Sequence, residues 1–315
     1  MKHCHFSILY NELPFLKQKL PFLYEYFDQI IFYDLNVACE KPHFSTDGSH
    51  EYILDYPDPQ NKINIVEETD LSQVTKYYGG SGIAKRKMFT LASQYVRDEM
   101  DIFWCTDMDE FFYPSLIEEV ESTLCHHPEV NSIDLDHYYF WKDFDLILCD
   151  PTSDFMRIAP RIARHKQVNI YGHCSLHEQY PETKTLDDHK LYHFAWLGEE
   201  RCMYKIDYWC SSSAGDPHLA SAYHKYVAEI WNTFDKKHVN PPDKMWGYPN
   251  MHPNPIIKKG VKFFQGTLPT YVNYDQLGKD LGIKQQCSTA LFFLTPQEKV
   301  TLIFPEGFVI MRKEF

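Results

Sequence analysis

Asp107-Met108-Asp109 is the first place in this sequence to look for chemistry. Two carboxylates one residue apart follow directly on the apolar run Ile102-Phe103-Trp104-Cys105-Thr106. Such a run reads as a buried strand, and if its alternation persists into the triplet, both acids point the same way. Two hard oxygen ligands, with room left for water and phosphate oxygens, suit Mg2+ or Mn2+. A cation held there would neutralise a diphosphate leaving group as the bond to it breaks. Acids at this spacing also arise by chance, and the triplet could equally sit in a turn before a helix starting near Pro114. Its place at the end of an apolar strand favours the metal role, because open parallel sheets bind ligands beyond the carboxyl ends of their strands. Asp109→Ala is then expected to abolish activity and leave the fold intact.

Other reactive side chains are scattered more widely. His193 lies on the strand-like stretch Leu191–Leu197. Its imidazole suits Mn2+, or it is a buried, hydrogen-bonded structural group. Lys205, on a helical stretch further on, could reach a diphosphate or be solvated. His3 and His5 alternate on one strand and His126-His127 are adjacent, without acids at zinc-type spacing, so both pairs read as structural. Ser211-Ser212-Ser213 has no nucleophile-elbow pattern. Gly79-Gly80-Ser81-Gly82 is not followed by Lys-Ser/Thr and is no P-loop; a loop that closes over a bound ligand is the better reading.

These groups need a frame. Residues 3–10 read as a buried first strand that ends at Asn11-Glu12. Leu13, Leu16, Leu20 and Leu23 recur at helical spacing, so 13–26 is expected to be a helix. Pro14 sits in its first turn, and Pro21 is expected to kink or divide it. Residues 29–34 form a second short strand ending in Asp34, and 62–67 a third. A helix over 83–100 and strands over 102–106, 132–139 and 158–164 follow. Strand, helix and strand in so short a span make a βαβ unit and imply a parallel sheet. The expected organisation is a single α/β domain with a mixed, mostly parallel central sheet flanked by helices. It covers 1–240, divided into a ligand-binding part, 1–115, and an acceptor side, 116–240. A Pro- and Gly-rich C-terminal extension, 241–315, packs on it.

Composition narrows the class. The 315 residues are 44 % apolar and 24 % charged, ordinary for a globular chain. The net charge of −13 makes nucleic acid an unlikely partner, so an anionic substrate needs a bound cation or a few placed basic residues. Aromatics reach 16 %, which suits sugar-handling clefts and a Tyr-rich core alike. No long apolar run is present, so no membrane span is expected. Nine cysteines without regular spacing and no signal-like leader point to a reducing, cytoplasmic setting.

The segment Phe103–Phe111 resembles the Asp-x-Asp-Glu-Phe segment of GT-A glycosyltransferases. Ile8–Glu12 resembles their first strand and nucleotide-pocket turn, and Phe32-Tyr33-Asp34 their second strand, whose terminal acid faces the nucleoside. Gly82–Lys87 is similar to the helix start that brings a basic residue to the nucleotide. Leu191–Gly198 with Met203–Ile206 resembles a segment of glycosyltransferase family 17, whose members are inverting. This chain has Glu-Phe-Phe after the second acid where that family has Glu-Ile-Pro. Arg161–Arg164 with Gly172–Glu178 resembles a stretch of family 2 transferases.

The resemblance implies a GT-A, Rossmann-like fold and a metal-dependent glycosyltransferase. It would move a sugar from a UDP- or GDP-sugar to a hydroxyl of a glycan, with inversion. Asp107, Asp109 and His193 would hold Mn2+ or Mg2+. Asn11, Glu12, Asp34, Lys85, Arg86, Asp107 and Lys205 would bind the nucleotide-sugar, and Glu178 would be the base. Asp136, Asp187, Asp188 and Asp216 compete with Glu178 for that role. Two other readings stay open: a metal-dependent nucleotidyltransferase or phosphohydrolase, and a non-catalytic carbohydrate-binding protein of the same fold.

Overall fold

The computed structural model describes residues 1–36, 43–66, 88, 91–149, 156–165, 182–212, 231, 246–248, 257–283, 293–294, 299–304 and 307–312. For 156–160, 206–212, 246–248, 257–260 and everything beyond 283 the description is of backbone alone.

Strand β1 (His3–Leu9) leads into helix α1 (Leu13–Tyr26) and back to strand β2 (Gln29–Asp34). Helix α1 runs unbroken over Pro21. Phe15, Leu16, Leu20 and Leu23 bury its inner face, and that packing offsets the hydrogen bond Pro21 cannot donate. The short helix α2 (Ser49–Leu54) and strand β3 (Ile63–Ile65) follow. Helical backbone upstream of β4 ends at residue 93 and gives way to turns, shorter than the expected helix to 100. Then come β4 (Ile102–Cys105), β5 (Glu110–Phe111) and helix α3 (Ser115–His126). Strands β6 (Ser132–Cys149), β7 (Met156–Arg164) and β8 (Thr183–Leu197) precede helix α4 (Glu199–Ser212). Beyond it lie β9 (Trp246–Tyr248), β10 (Ile257–Phe263) and helix α5 (Tyr274–Asp280). A separate antiparallel sheet holds β11 (Phe293–Leu294), β12 (Lys299–Phe304) and β13 (Gly307–Arg312).

The main sheet runs β3-β2-β1-β4-β7-β6-β10-β9, with β8 paired to β5 and β6. Its first four strands are all parallel. From β4 the sheet continues antiparallel into β7 and β6. Side chains alternate across it as strand geometry requires. Ile30, Phe32, Ile102 and Trp104 enter one apolar layer with Phe15, Leu16 and Leu20 of α1 and Leu116 and Val120 of α3. Cys4, Phe6, Ile31, Phe103 and Cys105 enter a second layer with Met88, Ala92 and Val96. A sheet covered on both faces explains why Ile30–Tyr33 of β2 and Ile102–Cys105 of β4 are apolar on both sides. His3 and His5 are structural: Trp104 Nε1–H donates to His3 Nδ1 at 2.9 Å, and His5 Nε2 meets Thr106 Oγ1 at 2.7 Å. No described helix is long and apolar enough to cross a membrane.

Candidate active site

The chain lays down β2 and β3 on one side of β1, then returns to place β4 on the other. At such a reversal, beyond the carboxyl ends of the strands, open α/β sheets receive ligands. Asn11 takes a left-handed φ of 55° there, a conformation Asn tolerates, and turns the chain into α1. The orphan amides at the start of α1 are met by the 45–49 segment. Asn11 N–H donates to Ser45 Oγ (2.8 Å), Glu12 N–H to Ser49 Oγ (3.1 Å) and Leu13 N–H to Asp47 Oδ2 (2.9 Å). Asp34 holds that segment from below. Its buried carboxylate accepts from Ser45 N–H (3.1 Å) and Ser45 Oγ–H (2.6 Å) and pairs with His50 Nδ1 (3.0 Å). Burial raises the Asp34 pKa, against the pull of Ser45 and His50.

The acidic triplet is a turn, not a continuation of β4. Glu110 N–H donates to Asp107 O (3.1 Å), and Glu110 Oε2 accepts from Asp107 N–H (3.0 Å). Lys19 reaches in from α1 and donates to Thr106 Oγ1 (2.8 Å) and Asp107 O (2.5 Å). These bonds end the alternation expected of the triplet, so Asp107 is half-buried while Asp109 is buried. Asp109 Oδ2 accepts from Arg201 Nη2 (2.9 Å) and from Lys205 Nζ, both on α4. Its Oδ1 lies 3.4 Å from His193 Nε2. Burial by itself would raise the Asp109 pKa, but Lys205, His193 and Arg201 hold it well below the usual carboxylate range. Arg201 also donates to Glu12 Oε1 (3.0 Å) and lies over the Phe15 ring at 4.4 Å.

Strand β5 pairs with β8 so that Glu110 faces His193. Glu110, His137 and His193 converge there, with one ligand atom from each within 4.8 Å of the others, a group able to hold a metal ion. Glu110 Oε1 accepts from Arg161 Nη2 at 2.6 Å and lies 3.8 Å from His137 Nδ1 and 4.0 Å from His193 Nδ1. Among the described residues, both ring nitrogens of buried His137, and Nδ1 of His193, have no hydrogen-bond partner. Burial pushes His137 well below its ordinary pKa, helped by Arg161 and His193, so a lone pair is available on its neutral ring.

The donor set fits a divalent cation. Asp109 Oδ1 and His193 Nε2 are 3.4 Å apart, the span between neighbouring ligands of an ion with bonds of about 2.1 Å. Asn11, Glu12, Asp107, Asp109, His193 and Lys205 thus share one end of the sheet, whereas the Asp34 carboxylate is occupied by the segment it anchors. Lys85, Arg86, Glu178 and Asp216 lie outside the described residues. Asp136 is buried and paired with Lys190 at 3.2 Å, and Asp187 and Asp188 are exposed.

Sequence reasoning passed over Lys19, His137 and Arg201, and noted Glu110 and Arg161 within motifs without giving either a role. Two of them carried a signal. Lys19 interrupts the apolar stripe of α1 between Leu16 and Leu23, and Arg201 stands one helical turn before Lys205, on the same face.

No protein-family profile matches the chain, and no curated protein sequence matches it either. Solved structures similar to it include S. aureus TarS, at 13 % identity and a TM-score of 0.38 over 75 % of this chain and 73 % of that one. A second structure of S. aureus TarS matches at 16 % identity and a TM-score of 0.39, over 75 % of this chain and 44 % of that chain. The 4-diphosphocytidyl-2C-methyl-D-erythritol synthase of Anaerococcus prevotii matches at 9 % identity and a TM-score of 0.33, over 72 % and 96 % of the two chains. The fold is mixed α/β, with a central sheet that is parallel over β3-β2-β1-β4 and antiparallel beyond β4. Likenesses this distant say nothing about chemistry.

Proposed function

We propose that this protein is a metal-dependent glycosyltransferase that moves a sugar from a nucleoside-diphosphate sugar, UDP- or GDP-linked, to a hydroxyl of a glycan acceptor with inversion. One observation carries the reading. At the switch point of the sheet, Asp109 and His193 stand at ligand spacing beside the amino-terminal turns of α4, which bring Arg201 and Lys205 to the same carboxylate. Carboxylate, imidazole and two cations at a point of this type suit a ligand that carries both a metal and a diphosphate.

Asp107, Asp109 and His193 would hold Mn2+ or Mg2+, which when bound supplies positive charge to the departing diphosphate. Lys205 would add its charge to the diphosphate, and Asn11 and Glu12 would border the nucleotide. Glu178 remains our choice of base: it would take the proton of the acceptor hydroxyl as that oxygen attacks the anomeric carbon. The bond from that carbon to the diphosphate oxygen breaks, and its electron pair leaves with the diphosphate. Residues 1–115 would form the nucleotide side and 116–240 the acceptor side, with 241–315 packed against them.

A thermal-shift screen of nucleotide-sugars with and without Mn2+ tests this, since a tight ligand raises the melting temperature by mass action. The expected result is stabilisation by one nucleotide-sugar that needs Mn2+, with nucleoside diphosphate released on adding acceptor. Pyrophosphate released from a nucleoside triphosphate would replace this reading with a nucleotidyltransferase. Glycan binding without donor turnover would replace it with a carbohydrate-binding protein. Glu178→Gln should lower turnover by about 10²–10⁴ and leave donor binding unchanged. A near-normal rate moves the base to Asp136, Asp187, Asp188 or Asp216.

The unpartnered nitrogens of His137 favour a second placement of the cation, deeper, between Glu110, His137 and His193. His137→Gln separates the two: Mn2+ affinity survives it if Asp109 and His193 Nε2 are the ligands, and collapses if the deeper group is.

A further inference from the structure

Asp109 does not wait for a metal as a bare anion. Glu12, Arg201, Asp109 and Lys205 form a continuous network in which two carboxylates meet two cations, so the network is already neutral. Both cations converge on Asp109 Oδ2, and Oδ1 is turned to His193. Arg201 is held on three sides, by Glu12, by Asp109 and by the face of Phe15, which leaves it little freedom. Lys205 is different. Its side chain is partly exposed, its described hydrogen bond is to Asp109, and its stem is long and flexible.

A divalent cation approaching Oδ1 therefore meets a carboxylate whose charge is cancelled, with a lysine ammonium close behind it. Charges of the same sign at such distances repel strongly where water is largely excluded. A nucleoside diphosphate reverses the balance, because it brings the negative charge that the added cation requires and offers Lys205 phosphate oxygens to move to.

We infer that Lys205 is the resident counter-cation of Asp109, and that it makes the divalent cation and the nucleoside diphosphate bind as a pair while holding off the cation alone. The inference deepens the glycosyltransferase reading and rests on its metal site. It gives Lys205 a positioning and selectivity role separate from any contact with the reacting carbon. A site built this way stays metal-free until a donor arrives.

Mn2+ binding measured by the electron paramagnetic resonance signal of the free ion, in the absence of any sugar or acceptor, tests it without relying on turnover. The probes are MnCl2 alone and MnCl2 with saturating UDP or GDP. Wild-type protein should bind Mn2+ alone at least about tenfold more weakly than with the diphosphate, and by linkage Mn2+ should tighten the diphosphate by the same factor. Lys205→Gln should tighten Mn2+ alone by about tenfold or more and shrink the coupling. Lys205→Arg keeps the charge and should behave as wild type, which controls for packing. Circular dichroism confirms that each variant is folded. If Lys205→Gln binds Mn2+ alone as weakly as wild type while the diphosphate still recruits Mn2+ to both, the inference is overturned and the metal site stands. If no form binds Mn2+ with either diphosphate, the metal reading itself fails and takes the inference with it.

Discussion

Asp109 touches Arg201, Lys205 and His193 at once while almost fully enclosed, and this changes what its removal should do. Read as a ligand at a strand end, it could be cut back to Ala without harm to the fold. The structure revises that expectation, because Asp109→Ala takes from Lys205 the carboxylate it donates to and leaves Arg201 with Glu12 alone, so two cations face one remaining counter-charge. Removing one partner of a buried ion pair costs about 3–5 kcal/mol. Asp109→Ala should therefore lower the denaturation midpoint markedly as well as abolish transfer. Asp109→Asn keeps the shape, and should lose at least about 10² in turnover with a smaller drop in stability. Urea titrations of both variants check the point: unchanged midpoints would mean that Lys205 and Arg201 do not depend on Asp109. Glu110, the next residue, is enclosed too, and burial raises its pKa while Arg161 opposes the rise.

At the scale of elements, the site depends on how β8 hands over to α4. Gly198 makes that turn with φ 72°, and a Cβ on it would stand 2.2 Å from the carbonyl oxygen of Leu281. A side chain there faces both left-handed strain, about 1–2 kcal/mol, and a collision with backbone that has no rotamer to escape through. Gly198→Ala should lower the melting temperature and, by shifting the start of α4, weaken diphosphate binding through Arg201 and Lys205. A variant with wild-type stability and affinity would show that the turn has slack. Helix α1 contributes in a related way through Lys19, a buried lysine whose Nζ fastens the 106–107 backbone to the helix. Burial brings its pKa down to about 8, with Glu110, Asp109 and Asp107 resisting the fall. Lys19→Met removes the fastener but keeps the stem's volume. It should loosen the triplet and weaken Mn2+ affinity without unfolding the sheet, which circular dichroism and a metal titration would show together.

For the whole molecule, the two apolar layers on either face of the sheet enclose titratable groups, and these tie stability to pH. His5 sits in the β1 interior, where burial, with Lys19 adding to it, holds its pKa well below the ordinary 6.5. Below pH 6.5 the unfolded chain takes up a proton that the folded chain refuses. Stability therefore falls as the pH drops through that value and is fully present above it. The urea midpoint should decline between pH 7.5 and 5.5, and His5→Gln should make the decline shallower. Groups common to both proteins, such as Asp34, cancel in that comparison. Equal slopes in the two proteins would remove His5 from the account.

Local pattern alone sufficed for β1, α1 and β2: the helix bounds at 13 and 26 and the strand bounds at 29 and 34 are set by apolar periodicity and by Asn11, and α1 and β2 form where it places them. The acidic triplet stood out in the sequence because it follows an apolar strand, and the strand β4 forms directly before it; its role as a ligand site belongs to the proposal. Tertiary structure decided the rest, since the relevant partners are far apart in the chain. Only the pairing of β5 with β8 brings Glu110 opposite His193, and only the docking of α4 sets Arg201 and Lys205 on Asp109, more than ninety residues away. The alternation expected of Asp107 and Asp109 failed for the same reason: Lys19 and the Glu110 side chain turn the backbone there, and no local propensity records hydrogen bonds supplied from another helix. Sequence spacing reports which face of an element a side chain occupies, but the charge environment of that side chain is set by whatever packs against the face.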